Sequence, residues 1–251
     1  MIYSQKYVII IKNIRKVYIT MDEKIYTIPV TEAFEKKDGC PFCRLRRELE
    51  EAERDLIMGA SMMEPDFRIK TNELGFCKKH YDSMLASKKN NKLSLALMLE
   101  SHLDAQKDSI VIWKKALLGK DHSVKASEHI KKLTSSCYIC ERVDGKYSKM
   151  VLTAVIFWQK QTEFRNLLSE QPYFCLPHAA MYLDMAKLKL DKKMYLTFAE
   201  SLGNVQSAYT DSLKEDVSWF CKKFDYRYDA EPWGNAKDSV ERAVKFLAGD
   251  I

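Results

Sequence analysis

The chain has 251 residues, 46% hydrophobic and 30% charged. That is long enough to bury a core without cross-links, and no apolar run approaches the roughly 20 residues a membrane-spanning helix needs. Eight Gly and six Pro among plentiful Lys, Glu, Leu, Met and Ala favour long helices and exclude a turn-rich β-sandwich or a collagen-like chain. A formal charge of +6 and seven cysteines are the two numbers that need explaining.

Residues 1–20 carry Lys6, Lys12, Arg15 and Lys16 and no acid, which leaves 37 basic against 35 acidic side chains and a net of +2 for the remainder. The near-neutral body disfavours nucleic-acid binding. The apolar stretch 7–11 is too short for a signal-peptide core and no small-residue cleavage site follows it. Residues 1–20 read as a basic extension, weakly attached and lying ahead of a start at Met21, with an edge strand as the alternative.

From 21 to 120 the pattern is helical. Leu45, Leu49, Ala52, Leu56 and Ile57 make one apolar face over 42–58. A second helix is expected from near Cys77 past Met84 and Leu85, then a break at 88–91. Beyond it lies an apolar stretch, 93–103, whose pattern continues through Ile110, Trp113 and Leu117. Residues 120–126 read as a connector to a second module, 121–251. There, 150–158 suits a central core helix, and 181–224 one or two more. Pro232, Trp233 and Gly234 form a turn, Asn235 is a candidate cap, and Val240, Ala243, Val244 and Leu247 make one face before Gly249. The expectation is an all-α protein of two modules with a C-terminal helical extension.

The cysteines reveal why two modules are expected. Cys40-Pro-Phe-Cys43 precedes Cys77-Lys-Lys-His80 by 33 intervening residues, and Cys137-Tyr-Ile-Cys140 precedes Cys175-Leu-Pro-His178 by 34. Corresponding positions lie 97 or 98 residues apart. Asp66-Phe67-Arg68 matches Glu163-Phe164-Arg165, Phe76 matches Phe174, and Leu85 matches Leu183. Such order and spacing point to a duplicated ancestral module.

Ligands two residues apart sit about one turn apart, so both donors of a pair can face one ion. Read in sequence order, Cys40, Cys43, Cys77 and His80 form one Cys3His set, and Cys137, Cys140, Cys175 and His178 another. A 17-residue helix spans about 25 Å, so a helix running out and a segment running back would close each set. Three sulfurs and one nitrogen favour zinc over iron, and two zinc ions are expected. Four protein ligands leave no position for water, which argues for structural rather than catalytic sites. Arg44, Arg46, Arg47, Lys78 and Lys79 are placed to offset the thiolate charge, and Arg68 and Arg165 are candidates for contacts behind the ligands.

Three other uses of the cysteines compete less well. A dithiol redox site of the glutaredoxin kind should follow a buried strand, yet residues 35–39 are Glu-Lys-Lys-Asp-Gly. Structural disulfides suit a small secreted protein, and an iron–sulfur cluster is permitted but not favoured. Cys221, in Ser218-Trp219-Phe220-Cys221, reads as a buried small hydrophobe. The aromatic residues Trp219, Phe220, Phe224, Tyr226, Tyr228 and Trp233 read as helix packing in preference to a stacking platform. His102, His122 and His129 have no acid and nucleophile at useful spacing, and there is no Walker loop, GxGxxG, GxSxG or HExxH. No catalytic residue is assigned.

With Tyr26-Thr27-Ile28-Pro29-Val30 ahead of the first CxxC, Met58-Gly59 and Met63-Glu64 in the middle, and Gly75-Phe76-Cys77-Lys78-Lys79-His80, the chain resembles a bacterial family of uncharacterised proteins, domain of unknown function 6062. The resemblance covers about residues 24–250. It implies the paired cysteine motifs but no activity, substrate or cofactor.

The function expected is that of a cytoplasmic, non-enzymatic, zinc-binding scaffold or binding protein with an unidentified protein partner and no membrane. A thiol-based redox or metal-responsive protein is the alternative, and a nucleic-acid-binding adaptor the second alternative.

Overall fold

A computed structural model describes residues 23–59, 63–87, 92–111 and 122–250. The basic extension 1–20 and the whole of the break at 88–91 lie outside these residues, as do Trp113 and Leu117. Among the described residues the protein is all-helical and contains no strand. The helices are α1 (Glu23–Glu35), α2 (Pro41–Met58), α3 (Pro65–Leu74), α4 (Lys78–Ala86), α5 (Lys92–Ile110), α6 (Ser123–Ser135), α7 (Tyr138–Lys160), α8 (Thr162–Ser169), α9 (Leu176–Lys189), α10 (Lys192–Lys222) and α11 (Ser239–Ala248). Short 3-10 turns fall at Tyr226–Tyr228 and Gly234–Ala236.

The chain divides into two compact units, and these group it differently from a cut at 120. One takes the chain up to Arg47 together with everything from Lys146 on; the other is Glu48–Gly145.

In the first unit the core is aromatic. Phe42 meets the Tyr182 ring at 4.7 Å and Phe34 at 5.6 Å, both edge-on, and Tyr182 meets Phe198 at 4.7 Å. Trp158, Phe164 and Phe174 are fully buried beside them. Edge-to-face contacts of this kind add about 0.5–1.5 kcal/mol each beyond area burial. Helix α10 starts where the Asp191 carboxylate accepts from the Met194 backbone N–H at 2.9 Å, satisfying a donor the helix leaves free. At its other end the buried Lys223 ammonium donates to the carbonyls of Tyr228 (2.6 Å), Asp229 (3.0 Å) and Glu231 (2.8 Å) and lies over the Trp233 ring.

The second unit is aliphatic, built on Ile57, Met58, Met84, Leu95, Met98, Ile139 and Val143. Its buried Glu53 accepts from Arg142 at 2.7 Å, tying α2 to α7. Gln106 joins α3, α5 and α6 by donating to the Asn72 carbonyl at 2.6 Å and meeting the His129 ring nitrogen at 2.7 Å.

Several local expectations need correcting. Residues 123–126 belong to α6 and not to a connector. Asn235 lies inside a 3-10 turn, and the residue preceding α11 is Asp238. On α11 it is Ser239 and Phe246, seven residues apart on one stripe, that are buried, while Val240, Val244 and Leu247 point outward. Cys221 is exposed and not a core residue, because on α10 it falls off the stripe that buries Phe198, Leu202, Val205 and Leu213. Phe224 and Tyr226 are exposed as well.

Candidate metal centres

All four Cys motifs open helices. Cys40 and Cys137 immediately precede α2 and α7, and Cys77 and Cys175 are the capping residues of α4 and α9. Each first cysteine's carbonyl accepts the first-turn backbone N–H four residues on: Arg44 to Cys40 (3.3 Å), Tyr81 to Cys77 (3.0 Å), Glu141 to Cys137 (3.1 Å) and Ala179 to Cys175 (2.8 Å). The second ligand of each pair therefore stands at the third helical position, one turn from its partner. The positive ends of four helix dipoles face the sulfurs, which favours thiolates.

Gly75 sets up one of these turns. It ends α3 with φ +57°, a conformation that favours glycine, and a Cβ there would stand 3.2 Å from the His102 ring. Its carbonyl accepts the Tyr138 N–H at 3.0 Å, so the backbone before Cys77 is fixed against the start of α7.

The pairing of the motifs is crossed. Cys40 and Cys43 gather with Cys175 and His178, and Cys77 and His80 gather with Cys137 and Cys140, all ligand atoms of a set lying within 4.8 Å of one another. This corrects the sequence-order sets, in which Cys40 and Cys43 would go with Cys77 and His80. Helix lengths give the reason. The 18 residues of α2 carry the chain about 27 Å from Cys40, and the 10 residues of α3 rise only about 15 Å. The chain does not return before Cys77. The long α7 and short α8 repeat the arrangement ahead of Cys175. Each centre lies wholly within one compact unit.

The distances suit a tetrahedral ion. With metal–sulfur bonds of about 2.3 Å and metal–nitrogen bonds of about 2.0–2.1 Å, tetrahedron edges are about 3.8 Å between sulfurs and about 3.5 Å from sulfur to nitrogen. In the first centre Cys43 and Cys175 Sγ are 3.6 Å apart, and His178 Nδ1 lies 3.6, 3.3 and 3.1 Å from Cys40, Cys43 and Cys175. In the second, Cys77 and Cys140 Sγ are 3.8 Å apart, and His80 Nδ1 lies 3.2, 3.2 and 3.5 Å from Cys77, Cys137 and Cys140. Nδ1 is the inward nitrogen of both histidines.

Electrostatics within each set calls for a cation. In the second centre, hydrogen bonds with Cys137 and Cys140 draw the Cys77 thiol well below its ordinary range, while Cys140 is pushed far above it by Cys137 and Cys77. Burial opposes charging of His80, yet the Cys137 and Cys77 sulfurs raise it to about 9. In the first centre Cys43 is drawn down by hydrogen bonds with Cys175 and Cys40, and Cys40 is pushed up by burial and then by Cys175 and Cys43. Cys175 is pulled down by Cys40 but pushed up to about 12 overall by Cys43 and burial. One thiolate forms readily and its charge blocks the next. A divalent ion removes that obstacle and lets all three sulfurs ionise.

The surroundings differ between centres. In the first, all four ligands are buried, the rings of Phe42 and Tyr147 pack on His178 at 6.1 and 5.8 Å, and the Asp250 backbone N–H donates to Cys43 Sγ at 3.4 Å. Arg47 (3.0 Å) and Lys245 (3.4 Å) hold the Asp250 carboxylate. Gly249, with φ +89°, passes so close that a Cβ would stand 3.6 Å from Cys175 Sγ. In the second centre Cys77 and Cys140 are only half-buried, and the Glu50 carboxylate lies 3.9 Å from the outer nitrogen of His80.

The basic residues expected to offset thiolate charge divide between acids and rings. Arg44 pairs with Asp38, Arg47 with Asp250, Lys78 with Asp82 and Lys79 with Glu50, and Arg46 stands over the Tyr147 ring. Arg68 donates to the Leu97 carbonyl at 2.8 Å, and Arg165 to those of Trp158 and Gln159 at 2.8 and 2.9 Å. These two arginines hold helices in place, and the groups standing behind the ligands are Glu50, Phe42, Tyr147 and Asp250. Sequence reasoning missed all four. Only Phe42, enclosed by two ligands, carried a signal.

No curated protein and no solved structure matches the chain. A family model matches residues 21–251, and the chain belongs to that family of unknown function, DUF6062.

Proposed function

We propose that the protein is a zinc-stapled helical scaffold or binding protein, non-enzymatic and working in the cytoplasm, in which Cys40, Cys43, Cys175 and His178 hold one zinc ion and Cys77, His80, Cys137 and Cys140 a second. The observation that carries this reading is the ligand count. Each centre presents three sulfurs and one imidazole at tetrahedral spacing, and a fully protein-ligated ion has no open position for water. Zinc bound there fixes two helix starts to one point. The ligating cysteines are free thiols, which suits a reducing compartment. The recurrence of spacing between the two motif pairs supports descent from one duplicated module.

Metal content of the purified protein is expected to be two zinc ions per chain. Uptake should also release protons. Cys140 is raised far above neutrality and His80 to about 9 in the metal-free fold, so both are protonated at neutral pH and must lose those protons to bind. Apparent affinity should therefore climb as pH rises from about 6 to about 9, as read by calorimetric titration in buffers of different ionisation enthalpy. An affinity indifferent to pH, or a chain without bound metal, would contradict the reading.

A further inference from the structure

The two centres have the same ligand set but not the same access. At corresponding positions of the duplicated motifs, Cys175 and Cys43 of the first centre are 0% and 3% exposed, whereas Cys77 and Cys140 of the second are only partly buried. The first is sealed by the Phe42 and Tyr147 rings, by Gly249 and by the Asp250 N–H donated to Cys43. That hydrogen bond also draws electron density from the sulfur and lowers its nucleophilicity. The sulfurs of these two partly buried residues are neighbours at 3.8 Å.

We propose that Cys77 and Cys140 form a site of reversible oxidation by hydroperoxides, through which the second centre gives up its metal while the first keeps its own. This rests on zinc being held at both centres. One of the two sulfurs attacks a peroxide oxygen; the O–O bond breaks, hydroxide leaves and takes a proton, and the sulfur becomes a sulfenic acid. The neighbouring thiolate then attacks that sulfur and displaces its hydroxyl, which leaves as water after taking a second proton. The two sulfurs lose two electrons and hydrogen peroxide gains them, so one peroxide and two protons yield one disulfide and two waters. Closing 3.8 Å to a sulfur–sulfur bond of about 2.05 Å needs side-chain rotation at two helix starts. The ion, left with Cys137 and His80, loses half its ligands and dissociates. A thiol reductant returns both sulfurs and restores the site.

The test uses the full zinc-loaded chain and hydrogen peroxide. Zinc content before treatment reads the metal assignment by itself. A colorimetric zinc chelator then follows release, and differential alkylation with mass spectrometry identifies the oxidised cysteines whether or not metal was present. The expected result is one equivalent of zinc released on the order of tenfold faster than the other, a Cys77–Cys140 disulfide as the first product, and recovery of the second centre with dithiothreitol and zinc. Release of both equivalents at one rate, or first oxidation at Cys40, Cys43 or Cys175, would overturn the proposal.

Discussion

Replacing Cys175 by serine is expected to cost the chain one of its two metal ions and several kcal/mol of stability. Structural zinc contributes an apparent binding free energy of about 10–16 kcal/mol in zinc-finger peptides at neutral pH, which sets the upper bound. The first unit also has a large aromatic core, so part of its fold survives without the ion. The serine hydroxyl, at a position with no solvent exposure, adds about 1–3 kcal/mol if it finds no partner. A loss of about 4 kcal/mol corresponds to a fall in melting temperature on the order of 10 °C for a chain this long. Calorimetric or circular-dichroism melting with metal analysis measures both. Cys221→Ser is the control: its side chain is exposed, and its effect should stay within about 0.5 kcal/mol. Equal melting of the two variants would contradict a structural role for the first centre.

Phe42→Ala should be nearly as costly for a different reason. Phe42 stands between two ligands in sequence, is fully buried, and meets the rings of Tyr182, Phe34, Phe174, Tyr147 and His178. Truncating a buried phenylalanine costs about 3–5 kcal/mol through lost transfer free energy and the cavity left behind. All eight ligands remain, so two metal ions should still bind, but the first centre loses the ring that shields His178. The variant is expected to melt on the order of 10 °C lower and to lose its first-centre ion sooner to a competing chelator. A change below about 1 kcal/mol would mean the site can collapse around the missing ring.

Much of this was legible in the chain itself. The four motifs announce their ligands. The spacing of Leu45, Leu49 and Ile57 places α2 almost to the residue, although Ala52 and Leu56, expected on the same apolar face, are exposed, and the all-α class follows from composition. The pairing of the motifs was not legible, because two CxxC and two CxxH pairs make Cys3His sets equally well in sequence order or crossed. Ligand chemistry is the same either way, and only the path of the chain decides. The missing piece was α3, whose 10 residues are too short to return along α2. Its ends were marked by Pro65 at its first position and Gly75 just past its last, the usual punctuation of a short helix. Asp250 was invisible for another reason: it acts on Cys43 through its backbone N–H, 207 residues distant, and a backbone donor has no residue type to recognise. Cys221 misled because its neighbours Trp219 and Phe220 are apolar, while exposure on a helix depends on angle and not on sequence neighbours.

The crossed pairing also shapes stability. Joining Cys43 to Cys175, positions 132 apart, and Cys77 to Cys140, 63 apart, closes long loops in nested fashion, and long closures remove more entropy from the unfolded chain. An ion held at each centre would therefore fix a distant pair of helix starts, where sequence-order pairing would fix a nearer one.

Metal content of paired ligand variants tests the crossed assignment most directly. In Cys43→Ser/Cys175→Ser both changes fall in one centre, and the purified full-length protein should retain one zinc ion per chain by elemental analysis. In Cys43→Ser/Cys77→Ser they fall in different centres, and the protein should retain none. Pairing in sequence order requires the opposite: none for the first variant and one for the second, a result that would contradict the account.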